Sequence, residues 1–294
     1  MPSLPAARKT DDTSHSSGSE ITVPCAQKTD IEGLPAARVT DTNDCKQWFH
    51  GPNPIAWGSE TVMIEGRFAS RKTDQSLCAG EITQGAATVE IGGPTLKFKA
   101  HPGWTPGSRA GNSLVAISTE THNIYILSFL EYSGPNASPE YAARAEAQIE
   151  AMWGGRTTTI NGETYTVNVD VTSQYRGPGS SATPGFDQII VDDSTTRSNQ
   201  SLYGNGDGHQ TSSDANPGNY VAAHEYGHSL GLEDEYHDDY SWQWGWPPRT
   251  FNGSVPNDPS KTNNIMSQTW PSNGVDPHPY DDQYQQILTN YGLP

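Results

Sequence analysis

Short alternating polar and apolar segments, each bounded by glycine, recur through the first hundred residues. Three of them, GSEITV, GSETVMIEGR and GAATVEIGGP, are rich in β-branched residues. Alternation over so few residues predicts small hairpins rather than helices. We therefore expect an all-β N-terminal domain made of short repeated units.

Longer apolar runs begin only after residue 112 and predict larger elements. HNIYILSFLEY and FDQIIVDD have the composition of strands. SPEYAARAEAQIEAMWGG predicts a helix with a serine cap and a glycine stop, and DDQYQQILTNYG predicts a closing amphipathic helix. This part is expected to be an α+β domain.

These patterns divide the chain into two domains of different class. We place the all-β domain at residues 1–96 and the α+β domain at residues 113–294. Residues 97–112 are rich in proline and glycine without a clear period, which is typical of a linker.

The acidic charge lies almost entirely in the second part. Up to Ala100 there are 10 Lys and Arg against 12 Asp and Glu, and the remainder has 7 against 22. An acidic domain repels nucleic acid and anionic membranes, so neither is an expected partner. No apolar window is long enough to span a membrane, and MPSLPAARKT lacks the features of a signal peptide. We expect synthesis in the cytoplasm and no use of the general secretory route.

A threefold repeat underlies the first domain. PAARKTD at 5–11 returns as PAARVTD at 35–41 and as ASRKTD at 69–74, with the arginines spaced by 30 and then 33 residues. If a pseudo-threefold axis relates the copies, equivalent positions form a ring around that axis.

Four residues beyond the aspartate that closes each copy stands a zinc-ligand residue: His15, Cys45 and Cys78. His50 is the only other histidine of this part and completes a His2Cys2 set for a structural zinc. The alternative is that the cysteines are small buried hydrophobic residues. Cys25 falls outside the pattern, and for it this alternative is preferred.

The repeats and their ligand residues closely resemble the PAAR-repeat proteins of bacterial type VI secretion, over about residues 1–96. The resemblance implies a small β cone with zinc near its tip, whose base caps a trimeric VgrG-type spike. Many members carry a C-terminal toxin, so it also implies injection of a cargo domain into a recipient cell. A cognate immunity protein is a candidate partner on which the sequence itself is silent.

The segment NYVAAHEYGHSLG predicts a helix on which His224 and His228 share a face and can bind one ion. Glu225 lies beside that face, where it can reach a metal-bound water without coordinating the metal. Zinc lowers the pKa of bound water to about 7, and a glutamate can accept its proton as the water attacks a carbonyl. The motif thus predicts a hydrolase with Glu225 as its base.

The third ligand follows by elimination. After His228 the only glutamates are Glu233 and Glu235, which lie too near to come from a later helix as in thermolysin-type enzymes. Gly231 can adopt a left-handed conformation that ends the helix and turns the chain back. That turn brings Asp234 towards the ion, so His224, His228 and Asp234 are the predicted catalytic-zinc ligands.

Two assignments remain open at this point. His237 or His278 could replace the aspartate as third ligand, although Asp234 alone has the expected spacing. Tyr236, Tyr240 and Tyr280 are unranked candidates for stabilising an oxyanion.

HEYGHSLGLED is similar to the metzincin consensus with aspartate in place of the third histidine. That clan has a methionine turn beneath the metal, which NNIMS at 263–267 would supply through Met266; the alternative is an ordinary core methionine. GHSLGLEDEY also resembles M64-type peptidases and the metallopeptidase domains of polymorphic toxins, although it is one residue shorter than the M64 pattern. These resemblances cover residues 219–236 and 263–267.

The predicted function is that of a type VI effector. A PAAR tip would deliver a zinc endopeptidase that hydrolyses peptide bonds in a target cell, with one structural and one catalytic zinc ion per chain. One alternative substrate is the peptide or amide linkage of peptidoglycan. Another alternative is a non-enzymatic tip whose C-terminal domain only binds a metal or a receptor.

Overall fold

The computed structural model forms two compact units. The first comprises Met1–Ser108 with Leu114–Thr121, and the second Arg109–Ser113 with His122–Pro294. The structural division thus assigns Leu114–Thr121 to the first unit, although the sequence analysis placed the start of the second domain at residue 113. Residues 106–112 of the predicted linker and the side chains of residues 237–256 lie outside the described part. The backbone is described for residues 3–105, 113–195, 197–204, 206–242, 249–258, 260–261, 263–267, 269 and 274–294.

The described part of the first unit is all β, as the alternation predicted. Its strands are two to five residues long, because each repeat turns after a few positions. They are β1 (Leu4–Pro5), β2 (Glu20–Thr22), β3 (Asp30–Ile31), β4 (Leu34–Pro35), β5 (Thr42–Cys45), β6 (Gly51–Pro54), β7 (Trp57–Ser59), β8 (Met63–Ile64), β9 (Arg67–Phe68), β10 (Glu90–Ile91), β11 (Thr95–Lys97) and β12 (Leu114–Ser118).

Each repeat contains the same tight turn, closed by an ion pair three residues apart. In every copy the aspartate also accepts a hydrogen bond from the backbone N–H of its own arginine. The threonine between them has a positive φ of 70° to 76° in all three copies. The pairs are Arg8–Asp11 at 3.0 Å, Arg38–Asp41 at 3.1 Å and Arg71–Asp74 at 3.1 Å.

Glutamates at two hairpin turns tie neighbouring repeats together. Glu32 accepts hydrogen bonds from the backbone N–H groups of residues 87 and 88. Glu65 does the same for residues 27 and 28. Backbone groups far apart in sequence are satisfied in this way, so the copies hold each other in register.

Within the described residues, the second unit combines a mixed sheet with three α-helices. In the sheet the strands run in the order β14-β15-β13-β16-β17, with β14 antiparallel and the other pairings parallel. The elements are β13 (Asn123–Ser133), α1 (Pro139–Trp153), β14 (Arg156–Ile160), β15 (Glu163–Tyr175), β16 (Asp187–Val191), a 3-10 turn (Leu202–Gly204), β17 (Gly208–Gln210), α2 (Val221–Ser229), β18 (Tyr236–Trp242), β19 (Arg249–Pro256) and α3 (Asp281–Asn290).

Helix α1 begins at the serine cap that the sequence predicted, and it forms hydrogen bonds to both of the other helices. The Ser138 hydroxyl accepts a hydrogen bond from the third residue beyond it and caps the helix. At the other end the Trp153 indole is fully buried and donates to the Ala223 carbonyl of α2. The Tyr284 hydroxyl of α3 donates to the Trp153 carbonyl. Within the described residues, no helix has the length and apolarity needed to cross a bilayer.

The buried Arg71–Asp74 pair generates a stability prediction. Both side chains are about 1% exposed, so Arg71→Leu leaves a buried carboxylate unpaired and should destabilise the first unit by about 3 kcal/mol. Hydrogen-exchange mass spectrometry of the full chain measures the unfolding of the first unit independently of the second unit. The neighbouring exposed Lys72→Leu serves as control and should change protection little. Equal protection in both variants would contradict the prediction.

Candidate metal centres

A buried polar chain precedes the predicted zinc ligands in the first unit. Thr13, Asn43 and Ser76 each lie two residues before a ligand position and are each less than 7% exposed. The Thr13 hydroxyl donates to Asn43 Oδ1 at 2.9 Å, and Asn43 Nδ2 donates to Ser76 Oγ at 2.9 Å. These bonds link equivalent positions of all three repeats. In the sequence these three residues share one signal, a polar residue two places after the aspartate of each motif.

The four predicted ligands of the first unit lie together. We refer to His15, Cys45, His50 and Cys78 as the tetrad. The two histidine Nδ1 atoms are 3.1 Å apart, and Cys45 Sγ lies 3.5 Å and 3.6 Å from them. Cys78 Sγ lies 3.6 Å from His15 Nδ1.

These separations fit zinc. Tetrahedral Zn–N and Zn–S bonds of usual length place ligand atoms about 3.3–3.8 Å apart. A His2Cys2 donor set is also a standard structural-zinc composition. Cys25 stays outside the tetrad: its thiol donates to the Thr22 carbonyl, and burial raises its pKa to about 12. It is therefore a buried neutral thiol, as expected.

In the second unit, helix α2 carries two histidines whose rings are oriented by hydrogen bonds to backbone carbonyls. Gln148 of α1 braces the start of the helix by hydrogen bonds to the backbone of residues 219 and 223. His224 Nδ1 and His228 Nδ1 each lie 2.7 Å from a backbone carbonyl, those of Ile265 and Leu232. A carbonyl can only accept, so each Nδ1 carries the hydrogen and each Nε2 is left with a lone pair for a metal.

Asp234 meets both histidines at their free nitrogens. Its Oδ1 lies 3.1 Å from His224 Nε2 and 3.4 Å from His228 Nε2. The three ligand atoms lie within 4.8 Å of one another. Gly231, with φ of +84°, makes the turn that returns the chain to α2. Burial raises the pKa of Asp234, but the two histidines outweigh it and hold that pKa well below its usual range.

This set, which we call the triad (His224, His228 and Asp234), also has donor spacings suited to zinc. Glu225 lies beside it, with Oε2 4.0 Å from His228 Nε2. This carboxylate is buried, and its Oε2 has no hydrogen-bond partner within the part of the chain that the structure describes. Burial raises the pKa of Glu225, while the two histidines act in the opposite direction.

Met266 packs directly against the triad helix. It is fully buried, and a β-carbon placed on Gly227 of α2 would lie only 2.3 Å from its Sδ. The preceding residue, Ile265, supplies the carbonyl that orients His224. The turn at 264–267 therefore supports the helix face that carries the ligands.

Glu235, which was not predicted as a site residue, ties the segment after Asp234 to this turn. Its backbone N–H donates to the Met266 carbonyl at 2.9 Å. Its carboxylate accepts from Asn264 Nδ2 and from Gln283 Nε2, and pairs with Lys261. Because these partners lie 26 to 48 residues away, sequence spacing gave no signal for them.

A cavity of about 500 Å³ opens at the triad. Tyr236 lines it, with its ring centroid 6.2 Å from that of His224, and its hydroxyl accepts a hydrogen bond from Arg197. Arg197 is a second residue that sequence reasoning missed. The full lining is Arg197, Ser198, Asn199, Gln200, Leu202, His224, Glu225, His228, Glu233, Asp234 and Tyr236.

The other candidates are placed elsewhere or are not described. His278 lies outside the triad: its ring stacks on Tyr280, and its Nδ1 is 3.3 Å from the Asp276 carbonyl. The side chains of His237 and Tyr240 lie outside the described residues.

Comparison with known protein families finds a match within the first unit. A family profile for the PAAR motif matches residues 10–84, a stretch that contains the whole tetrad. The PAAR motif supports a spike-tip role in type VI secretion, with association to a VgrG spike, and PAAR motifs bind zinc. No curated protein matches the chain significantly.

The turn at Gly231 generates a prediction about the triad. A β-carbon there would lie 2.2 Å from the Tyr203 ring in addition to the strain of positive φ. Gly231→Ala should therefore destabilise the second unit by about 3 kcal/mol. Gly218→Ala is the matched control, because its φ is +78° but no atom lies within 4 Å, and about 1 kcal/mol is expected. Hydrogen exchange in α2 measures both, and an equal loss would contradict the prediction.

Proposed function

We propose that this protein is a type VI secretion effector whose second unit is a zinc endopeptidase of the metzincin-like class. In this proposal the first unit caps a VgrG-type spike. The protein is made in the bacterial cytoplasm and injected into a recipient cell. One observation carries the peptidase assignment: the triad converges beside the buried carboxylate of Glu225, whose Oε2 has no hydrogen-bond partner among the described residues.

The donor set supports zinc in the triad. Two imidazoles with free Nε2 atoms and one carboxylate match the three protein ligands of catalytic zinc sites. Zinc bound there would supply Lewis-acid chemistry, activating water and polarising the carbonyl of a peptide bond. The residues that would hold it are His224, His228 and Asp234.

Glu225 is positioned to move the proton of the reaction. It would accept a proton from the water as the water oxygen forms a bond to the carbonyl carbon. The same proton would pass to the amide nitrogen as the C–N bond breaks, so the products are a carboxylic acid and an amine. Burial supports this role because it raises the pKa of the Glu225 carboxyl and so makes it a stronger base than an exposed glutamate.

Tyr236 is our candidate for stabilising the oxyanion. Its hydroxyl lines the cavity, accepts a hydrogen bond from Arg197 and interacts with the Asp234 carboxylate, so its O–H would turn from Asp234 to the carbonyl oxygen of a bound substrate. The guanidinium adds positive charge where the carbonyl oxygen would become negative. Of the three tyrosines considered from the sequence, Tyr236 alone lines the cavity in the part of the chain described.

Removing the proposed base tests the peptidase assignment. Glu225→Gln should lower cleavage about a thousandfold while the protein keeps its fold and two zinc ions per chain, measured by elemental analysis. The exposed Glu163→Gln, also in the second unit, is the control and should retain activity. Mapping of new protein N-termini in recipient cells, and of muropeptides released from purified sacculi, reports the bond that is cut. Equal cleavage and toxicity with Glu225→Gln would refute the proposal.

The tyrosine assignment has its own test. With a peptide built on a mapped cleavage site, Tyr236→Phe should lower kcat about a hundredfold with little change in KM, because the lost bond acts in the transition state. Tyr165→Phe removes a hydroxyl that contacts Glu163 rather than the cavity, and serves as control. An unchanged kcat in Tyr236→Phe would exclude the hydroxyl from catalysis.

A further inference from the structure

Two adjacent aromatic side chains of the first unit are exposed to solvent. Trp48 is 77% exposed and Phe49 is 86% exposed, the two highest values among the large hydrophobic residues described. Their rings contact each other edge to face at 5.2 Å between centroids. Single exposed hydrophobic residues are common on protein surfaces, but a contiguous aromatic pair points to an interaction site.

The pair lies on a loop that two tetrad residues bracket. Residues 46–49 connect β5 to β6, all four are exposed, and Cys45 and His50 stand on either side. The His50 N–H donates to the Gln47 carbonyl at 3.0 Å, which closes the loop. The tetrad therefore fixes both ends of the loop, and the aromatic rings project from a short, anchored support.

The backbone of this loop is also held in an unfavourable conformation. Phe49 has a φ of +66°, a left-handed value that is an outlier for a bulky side chain. Such strain persists where the surroundings impose it, and it is concentrated at functional positions. Here it accompanies a side chain that contributes little to the core, since Phe49 is the most exposed large hydrophobic residue described.

We propose that Trp48 and Phe49 form a membrane anchor that inserts into the interfacial layer of a zwitterionic phospholipid bilayer. Two aromatic rings on a loop of four exposed residues offer a small area compared with a stable protein interface, which needs about 800 Å² from each partner. Aromatic rings are favoured at the boundary between lipid headgroups and acyl chains. The inference concerns the first unit alone and stands whether or not the second unit is a peptidase.

The charges around the loop select the kind of lipid. Lys46 is paired with Asp44 at 2.5 Å, so its charge is offset locally. Asp44 lies directly opposite Glu20 in the pairing of β2 with β5. The surface beside the loop is thus negative, which disfavours anionic headgroups and favours zwitterionic ones. Binding should consequently depend little on salt.

Vesicle binding by the full chain tests the anchor. We expect the zinc-loaded protein to cosediment with phosphatidylethanolamine–phosphatidylcholine vesicles at millimolar lipid. Trp48→Ser combined with Phe49→Ser should lower the partition coefficient at least about tenfold. The matched control is Met63→Ser with Val89→Ser, which removes two other exposed hydrophobic side chains of the same unit. This control should bind like the unchanged protein.

A second measurement locates the insertion. Lipids brominated near the headgroup should quench tryptophan fluorescence in the unchanged protein. Trp48→Phe should remove that quenching while it preserves most of the binding, because an aromatic ring remains at the position. Zinc content verifies that each variant keeps its tetrad.

The outcomes separate the anchor from its alternatives. Loss of binding confined to the aromatic double variant, with quenching that depends on Trp48, supports the proposal. Absence of vesicle binding by the unchanged protein, an equal loss in the control pair, or a role for the pair only in capturing an envelope protein would overturn it.

Discussion

Ligand side chains can share one metal ion only if the polypeptide holds them convergent against their mutual repulsion. In the triad this constraint is met by two hydrogen bonds from histidine Nδ1 groups to backbone carbonyls at 2.7 Å. One carbonyl belongs to Leu232, just after the helix, and the other to Ile265, in the turn that carries Met266. The tautomer, the ring orientation and the position of that turn therefore depend on one another.

The first unit meets the same constraint through repetition. Equivalent residues can approach a common axis only if little side-chain volume lies between the copies. Ala6, Ala36 and Ala69, the first alanines of the three motifs, are each fully buried and satisfy that condition. Ile21, Ile55 and Ile82 pack with the second alanines of two motifs in one buried cluster, so apolar contacts act together with the ion pairs and the buried polar bonds. Zinc in the tetrad would add its own contribution to folding.

Sequence patterns predicted those structural elements that depend on residues close together in the chain. The repeat, the helix capped by Ser138 and the strands of the second unit follow from composition and period. The antiparallel pairing of β18 with β19 was not predicted, and neither was the grouping of Leu114–Thr121 with the first unit. That segment joins the first unit through backbone bonds between Lys99 and Val115. Arg197 meets Tyr236 across 39 residues, and such non-local pairings leave no periodic trace.

The two centres differ in a way that bears on their roles. Among the described residues the tetrad offers four protein donors, the number that closes a structural zinc site, whereas the triad offers three. The carboxylate of Glu225, with Oε2 4.0 Å from His228 Nε2, is buried and makes no hydrogen bond through Oε2 within the described residues. An unsatisfied buried carboxylate lowers the stability of the fold. A carboxylate oxygen left available beside three convergent donors suits a general base in hydrolysis, and this is the reason that we propose a hydrolase rather than a metal-binding extension.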